Sequence, residues 1–242
     1  MNLVFLVNYD LAALLALNRI LPACKEHKIS VFYTQKSIPN LCPALEQLGE
    51  FEARALVTSP SLRSFQQIGA DVLNAINTKD FARYAATTPD VVVSIRHMSI
   101  LQPRTIALPK LATLNLHSGL LPAYQGVMST FRALSHHEKT IGTTLHRIED
   151  ASIDSGPVIS TSQIVARFDR SYLWNVLNLY RDGSQNVIEA IARLNCGGPL
   201  TARPQQSPGQ YYTFPTAKEI DAAPVPLFIE SDAEHLGQFL SD

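Results

Sequence analysis

A short apolar strand, followed by a helical segment and a second strand, is the sequence feature that most restricts the fold of this chain. Residues 3–7 are all apolar, which is typical of a strand buried on both faces. Apolar residues recur at helical spacing over residues 11–27, and Pro22 within this stretch predicts a kink or a split. Residues 29–33 then predict a second strand. A strand, a helix and a strand within about thirty residues predict a right-handed βαβ unit.

Strand and helix patterns continue to alternate along the chain, which predicts an α/β fold with a mostly parallel sheet. Ligand sites in such folds lie near the carboxyl ends of the strands. Residues 61–86 predict a helix with breaks, and Gly183 marks a break or kink inside the longest helical pattern. The remaining predicted strands are 90–95, 113–117, 142–148, and one more that includes 157–159 and 164–165. The remaining predicted helices are 128–136 and 171–194.

The composition changes after residue 198. Proline is frequent from there onward, and proline is incompatible with a helix interior or a central strand. This pattern predicts an extended segment, residues 199–242, that packs on the main body, residues 1–198, through aromatic side chains. The prolines are Pro199, Pro204, Pro208, Pro215, Pro224 and Pro226, and the aromatic residues are Tyr211, Tyr212 and Phe214.

The turn after the first strand contains no glycine. Residues 8–13 read Asn-Tyr-Asp-Leu-Ala-Ala. Dinucleotide-binding and Walker A loops need glycine there, because the backbone must approach a phosphate closely. The turn therefore argues against a nicotinamide-dependent dehydrogenase.

The charge and cysteine content disfavours several other classes of protein. Lys and Arg number 20 against 21 Asp and Glu, and no basic tract occurs, so nucleic-acid binding is disfavoured. The three cysteines lack C-x-x-C spacing, which predicts free thiols in a reducing compartment. The N-terminal apolar run has no basic segment before it, and no stretch reaches the roughly 20 apolar residues that span a bilayer. We therefore expect a cytoplasmic protein with no membrane partner.

Two short polar motifs carry the chemistry that the sequence suggests. Asn115 and His117 lie two apart in a predicted strand, so their side chains project from the same face. Asp154 lies farther along the chain, followed by Ser-Gly-Pro, a tight turn that can direct a carboxylate inward. We expect these three residues to form one polar site.

The sequence around these residues resembles a known family. Residues 115–126 read Asn-Leu-His-Ser-Gly-Leu-Leu-Pro-Ala-Tyr-Gln-Gly, and residues 153–159 read Ile-Asp-Ser-Gly-Pro-Val-Ile. Together they resemble the folate-dependent formyltransferases, which include glycinamide ribonucleotide formyltransferase, methionyl-tRNA formyltransferase and the sugar N-formyltransferases. The resemblance covers about residues 90–165. It implies a Rossmann-like formyltransferase fold with a Pro-rich C-terminal extension, a catalytic domain in residues 1–198, and 10-formyltetrahydrofolate as the formyl donor.

The resemblance also implies roles for individual residues. The catalytic Asn, His and Asp of the family fall on Asn115, His117 and Asp154. For Arg96 and His97 two interpretations stay open: contact with substrate or folate, or a solvated surface pair. The implied folate-binding residues are Ile95, Arg96, His97, Met98, Ile100 and Leu101, with Glu149, Asp150 and Ile153 in a second loop, and the implied substrate contacts are Tyr124, Gln125, Gly126 and Met128.

Formyl transfer to an amine explains the residue types. Attack on the formyl carbon gives a tetrahedral intermediate with negative charge on oxygen, and Asn115 and His117 can both donate hydrogen bonds to that oxygen. Asp154 can orient His117, favour its protonated form, or relay protons through water, and the sequence leaves these roles open. No metal is required. The adjacent His136, His137 and Glu138 predict a solvated helix end, because neighbouring side chains diverge on a helix.

The nature of the acceptor is constrained only by comparison with the family. The phosphate-binding glycine loop, the large C-terminal domain of the tRNA enzymes and a basic surface are all missing from this sequence. We therefore expect a small-molecule amine, in first place a nucleotide-linked amino sugar. The alternatives are hydrolysis of formyltetrahydrofolate, transfer to an amino-acid-type amine or to methionyl-tRNA, and a folate-binding protein without catalysis. The C-terminal segment either closes over the acceptor or forms a homodimer contact.

Overall fold

A seven-stranded, mostly parallel sheet forms the centre of the computed structural model, which describes residues 1–234 and 236–240. The strand order is β3-β2-β1-β4-β5-β7-β8, in which the first five strands run parallel and the last two pair antiparallel. The predicted α/β fold class is confirmed. The strands are β1 (Asn2–Asn8), β2 (Lys28–Thr34), β3 (Asp71–Val72), β4 (Val91–Ile95), β5 (Ala112–His117), β6 (Gln125–Gly126), β7 (Thr140–Arg147), β8 (Val158–Val165) and β9 (Tyr211–Tyr212).

Helices cover both faces of the sheet. The main core lies between the sheet and the two helices α1 and α7, and a smaller core lies on the opposite face. Strand β1 contributes alternate residues to the two cores, which explains why residues 3–7 are all apolar. The helices are α1 (Leu11–Ile20), α2 (Pro43–Thr58), α3 (Phe65–Ile68), α4 (Phe81–Ala85), α5 (Pro103–Ile106), α6 (Ser129–Ser135), α7 (Tyr172–Asn195) and α8 (Ala217–Asp221).

The N-terminal βαβ unit is present as predicted. Asp10 caps α1, because its Oδ1 accepts a hydrogen bond of 2.8 Å from the backbone nitrogen of Ala13. The helix becomes a 3₁₀ turn at Leu21–Cys24, which contains Pro22. The split of the helix at this proline is therefore confirmed.

The segment between β2 and β4 differs from the sequence prediction. The principal helix there is α2, which the sequence analysis missed, whereas the predicted helix over residues 61–86 is wrong. Only the short elements α3, β3 and α4 form in that range, and Gly69 ends α3 with a left-handed φ of 78°. The apolar residues of α2 face the main core at helical spacing, and they are Leu45, Leu48, Phe51, Ala55 and Leu56.

One prediction is confirmed and one is corrected in the second half of the chain. Residues 157–159 and 164–165 belong to one strand, β8, as predicted. Gly183 does not break α7, which continues through it. A Cβ atom at Gly183 would lie 2.9 Å from the side chain of Thr143 in β7, so glycine lets this helix approach the sheet closely.

The C-terminal segment crosses the main body in an extended path. Tyr211–Tyr212 forms β9, which pairs in parallel with β6, and the short helix α8 follows. Leu227, Leu236 and Phe239 are buried in the main core. Among the described residues, no helix is long and apolar enough to cross a membrane.

Candidate active site

A cavity of about 450 Å³ opens at the carboxyl ends of β1, β4 and β5. Its walls come from these strand ends, from helix α2 and from the loop that follows β7. This is the edge at which a parallel sheet is expected to bind its ligands. The cavity therefore lies where the sequence places the polar residues of β5.

Asp154 is the centre of a hydrogen-bonded group in this cavity. Its Oδ1 accepts a hydrogen bond of 3.1 Å from Asn115 Nδ2, and its Oδ2 lies 3.4 Å from His117 Nδ1. Its Oδ2 also accepts a 2.8 Å hydrogen bond from the backbone nitrogen of Gly126. The three residues predicted to be catalytic are thus brought together, and we call them, with His146, the Asp154 cluster.

Local backbone geometry explains how Asp154 reaches the other two residues. Asn115 and His117 project from the same side of β5, as their spacing predicts. Asp154 adopts a left-handed φ of 51°, and a Cβ atom at Gly156 would collide with the carbonyl of Arg147. Only glycine allows this close approach of the turn to β7, so the Ser-Gly-Pro motif turns the carboxylate inward.

The carboxylate of Asp154 is held in its ionised form. Burial alone would raise its pKa, but the nearby charge of His117 acts in the opposite direction. Together with the Gly126 hydrogen bond, this charge lowers the pKa of Asp154 to about 2. Asp154 is therefore an acceptor at neutral pH.

Both ring nitrogens of His117 face oxygen atoms inside the site. Its Nε2 lies 2.6 Å from the carbonyl oxygen of Tyr124, which can only accept, so Nε2 carries a hydrogen. The hydroxyl oxygen of Ser129 lies 3.0 Å from the same nitrogen. Nδ1 faces the carboxylate of Asp154. The ring is thus held at both nitrogens.

His146 is a member of the cluster that the sequence analysis missed. Its Nε2 lies 3.0 Å from Asn115 Nδ2 and 3.4 Å from Asp154 Oδ1. The residue lies in β7, directly opposite Asn115 in the antiparallel pairing of β5 and β7. No local motif in the sequence indicates this pairing, and an alternating strand pattern was the only signal for residues 142–148.

A second polar group, which we call the Asp10 cluster, lines the same cavity and consists of Asp10, Glu52 and Arg96. The Nε of Arg96 donates a 2.8 Å hydrogen bond to Asp10 Oδ2, and the two side chains are 22% and 6% exposed. Glu52 accepts a 3.2 Å hydrogen bond from the backbone nitrogen of Leu11. Burial and the charge of Asp10 raise the pKa of Glu52 to about 7, although Arg96 and the Leu11 nitrogen act against this rise.

Most of the predicted folate-binding residues line the cavity, with one exception. Ile95 is fully buried in the main core and points away from the cavity, because the side chains of a strand alternate and its neighbours Ser94 and Arg96 face the cavity. The prediction for the Ile95 side chain is therefore wrong. The predicted residues that do line the cavity are Arg96, His97, Met98, Ile100, Leu101, Glu149, Asp150 and Ile153.

The interpretation of Arg96 and His97 as a solvated surface pair is also wrong. Arg96 is paired with Asp10, and both residues line the cavity. The ring nitrogens of His97 are inaccessible to water, and burial lowers the pKa of this side chain to about 4. His97 is therefore neutral at physiological pH.

Two of the four predicted substrate contacts lie behind the cluster rather than on the cavity wall. Gly126 and Met128 line the cavity, but Tyr124 and Gln125 do not. The carbonyl of Tyr124 accepts from His117, and its hydroxyl donates to Glu138 at 2.9 Å. Gln125 Nε2 donates to the backbone oxygen of Asp154 at 3.2 Å. The structure thus places Tyr124 and Gln125 against His117 and Asp154, and their contact with a substrate stays a prediction.

Three of the six non-glycine residues with a left-handed φ in the described part of the chain line the cavity. Arg96, Met128 and Asp154 have φ values of 57°, 54° and 51°, in the left-handed region that side chains rarely adopt. Such conformations persist only where the surroundings enforce them, and they are frequent at functional sites.

The sequence of this chain matches one known protein family. The sequence profile of the formyl transferase family matches residues 33–171. A methionyl-tRNA formyltransferase from Burkholderia multivorans is 31% identical over 153 residues, which are 63% of this chain and 45% of that protein. The chain thus spans about half the length of the curated relatives it matches.

Two solved structures share the fold. A sugar N-formyltransferase from a Shewanella species superposes with a TM-score of 0.60 at 15% identity, covering 91% of this chain and 87% of the other. An N-formyltransferase from Helicobacter canadensis, in complex with folinic acid and dTDP-3-aminofucose, has a TM-score of 0.62 at 16% identity, covering 93% and 80%. At these identities the likeness is one of fold.

Proposed function

The chain belongs to the formyl transferase family, and from this membership we propose that it transfers a formyl group from 10-formyltetrahydrofolate to the primary amine of a small molecule. The observation that carries the proposal is the Asp154 cluster. Asn115 and His117 each lie within hydrogen-bonding or ion-pairing distance of Asp154, and all three residues line one cavity. A constellation of this kind supports catalysis better than any single residue does.

His117 and Asn115 are the groups that stabilise charge in the proposed reaction. As the amine attacks, negative charge develops on the formyl oxygen, and donors placed in advance lower the barrier. We propose that His117 and Asn115 each share one N–H between a partner inside the site and the formyl oxygen. Loss of one such donor typically costs about 100- to 1000-fold in rate.

Asp154 orients the ring of His117. Its ionised carboxylate faces Nδ1 of that ring in a buried setting, where charge interactions are strong. The attacking nitrogen loses one proton and the departing folate nitrogen gains one. We propose that His117 and Asp154 move this proton, through a water molecule where the distance requires it.

The end of the cavity near β4 is suited to the pterin of the formyl donor. Met98, Leu101 and Ile148 provide apolar surface there, and Ile153 stands on the loop after β7. Flat heterocycles are commonly held between such side chains, with backbone groups giving the hydrogen bonds. We propose this end as the folate subsite.

For the acceptor, we propose a nucleotide-linked amino sugar. The support is that the Helicobacter canadensis neighbour was solved with dTDP-3-aminofucose and folinic acid, and that this chain covers most of that protein. Curated relatives named methionyl-tRNA formyltransferase favour the alternative acceptor, methionyl-tRNA.

We also propose that residues 1–198 are the catalytic domain and residues 199–242 an extended segment packing on it. In support, Tyr211 and Phe214 line the cavity, and β9 pairs with β6 beside Gly126. This arrangement favours closure over the acceptor rather than a homodimer contact. Residues 235, 241 and 242 of this segment lie outside the described part of the chain.

The proposal is tested by following release of tetrahydrofolate from 10-formyltetrahydrofolate with and without a panel of amines. The panel contains dTDP-linked 3- and 4-amino sugars, free amino acids and charged methionyl-tRNA. Release that depends on an amine, with a product heavier by one formyl group, supports the transferase and identifies the acceptor class. Equal release without amine indicates a hydrolase, and no release in any mixture contradicts the proposal.

A further inference from the structure

His146 has no role in the reaction as proposed above, although it lies on the cavity wall. The residue is 2% exposed, and it lies opposite Asn115 in the β5–β7 pairing. On its other side, the pairing of β7 with β8 shifts register between Leu145 and His146, which is typical of a bulge that redirects a side chain. The contacts of this ring determine which atoms of Asn115 are available to a substrate.

The tautomer of His146 follows from its neighbours. Asp154 is ionised and can only accept, so the atom of Asn115 that lies 3.1 Å from Asp154 Oδ1 must be the amide nitrogen. The same nitrogen lies 3.0 Å from His146 Nε2. Its second hydrogen therefore points at Nε2, which must offer a lone pair.

The other ring nitrogen leads to the same assignment. His146 Nδ1 lies 2.9 Å from the backbone carbonyl oxygen of Arg147, which is an acceptor, so Nδ1 carries the hydrogen. The reverse arrangement would turn the Asn115 amide oxygen toward Asp154, and two acceptors would then face each other at 3.1 Å. That arrangement is electrostatically unfavourable in a buried site, whereas in the assigned one the lone pair of His146 Nε2 lies farther from Asp154 Oδ1, at 3.4 Å, and an Asn115 hydrogen points at each.

We infer that His146 is a positioning residue, which as its Nδ1–H tautomer accepts a hydrogen bond from Asn115 and fixes the plane and orientation of that amide. Two hydrogen bonds, to Asp154 and to His146, hold the amide nitrogen at two points. With only the Asp154 bond left, the amide can swing about it, and the N–H that Asn115 shares between His146 and the formyl oxygen loses its direction. Misplacement of a catalytic group by about 1 Å can cost about 100-fold in rate.

Two substitutions separate this role from simple packing, and their kinetic readout rests on the proposed formyl transfer. The amide of His146→Gln can place an acceptor near the position of Nε2, whereas that of His146→Asn can reach only the position of Nδ1. We expect His146→Asn to lower kcat by about 10- to 100-fold with little change in KM. We expect His146→Gln to recover most of this loss. In an Asn115→Ala background, His146→Asn should cost nothing further, because its effect acts through Asn115.

A measurement independent of turnover tests the tautomer itself. Two-bond ¹⁵N–¹H spectra of the imidazole rings, recorded on the full chain, should show an Nδ1–H tautomer that disappears in His146→Gln. An Nε2–H tautomer at this residue overturns the inference. So does an equal loss of kcat in both variants, or a loss that adds fully to that of Asn115→Ala. If the wild-type protein transfers no formyl group, the proposed function fails, and the spectra still decide the tautomer.

Discussion

The Asp154 and Asp10 clusters lie at the same edge of one sheet, and each is centred on a buried aspartate. Asp154 is surrounded by an amide, two imidazoles and one backbone N–H. None of these partners carries a permanent charge. The cluster can therefore exchange protons without losing its hydrogen bonds, which is what acid–base chemistry requires.

The Asp10 cluster is built for a different purpose. Asp10 caps α1, accepts a 2.9 Å hydrogen bond from Asn8 Nδ2, and pairs with the permanent cation of Arg96. A second carboxyl, Glu52, lies within its electrostatic influence. This cluster links β1, β4, α1 and α2 through ionisable side chains. The comparison shows that burial of an aspartate does not itself indicate catalysis, because the partners decide what the carboxylate does.

The largest expected difference between the clusters is in turnover. Asn115→Ala and His117→Ala should each lower kcat roughly 100- to 1000-fold, or about 3–4 kcal/mol in the barrier, because one donor to the developing oxyanion is lost. Folate binding should be nearly unchanged, since the side chains proposed to hold the pterin, among them Met98 and Leu101, stay in place. Steady-state kinetics and a fluorescence titration with folinic acid measure the two quantities. Full activity in both variants would contradict the mechanism.

The next effect is in stability and belongs to the Asp10 cluster. Arg96→Met should lower the free energy of unfolding by about 3 kcal/mol, because the carboxylate of Asp10 stays buried without its cation. Lys110→Met is the matched control, since its 3.1 Å ion pair with Asp90 involves a lysine side chain that is 69% exposed. Its cost should stay within about 1 kcal/mol. Equal losses in urea unfolding of the two variants would show that the Asp10 cluster does not stabilise the fold.

The smallest effect concerns pH, and its sign differs between the clusters. The pKa of Glu52 is raised to about 7, so the folded state binds this proton more tightly than the unfolded state does. Its contribution to stability is present below the pKa of an ordinary glutamate and is lost as the pH rises through about 7. Asp154, with a pKa lowered to about 2, contributes above the pKa of an ordinary aspartate and loses its contribution in acid.

Glu52→Gln isolates this pH dependence. Between about pH 5 and 7.5 the wild-type protein should lose about 2 kcal/mol of unfolding free energy that the variant retains. Glu50 is exposed on the same helix, so Glu50→Gln is the control. The unfolding free energy of this control should change with pH as that of the wild-type protein does. Urea midpoints measured across this range check the expectation, and identical slopes in all three proteins would refute it.

Sequence reasoning succeeded where the determining contacts are local. The apolar run in β1 and the spacing of Asn115 and His117 are properties of a few neighbouring residues, so the pattern reports the structure directly. It failed for α2, whose residues pack on a core assembled from distant strands, and for Gly183, which was interpreted as a break but allows close packing on Thr143. A glycine inside a helical pattern is the signal in both cases, whether the helix breaks there or packs closely on a neighbouring strand.

By itself, the sequence determined the α/β class, the N-terminal βαβ unit and three of the four side chains of the Asp154 cluster. Only the tertiary structure decided that His146 completes this cluster and that Asp10, Glu52 and Arg96 form another beside it. The reason is physical: His146 reaches Asn115 through an antiparallel pairing, and Arg96 reaches Asp10 across adjacent strands. Such contacts depend on how distant segments pair, and pairing is set by packing of the whole core rather than by any local pattern.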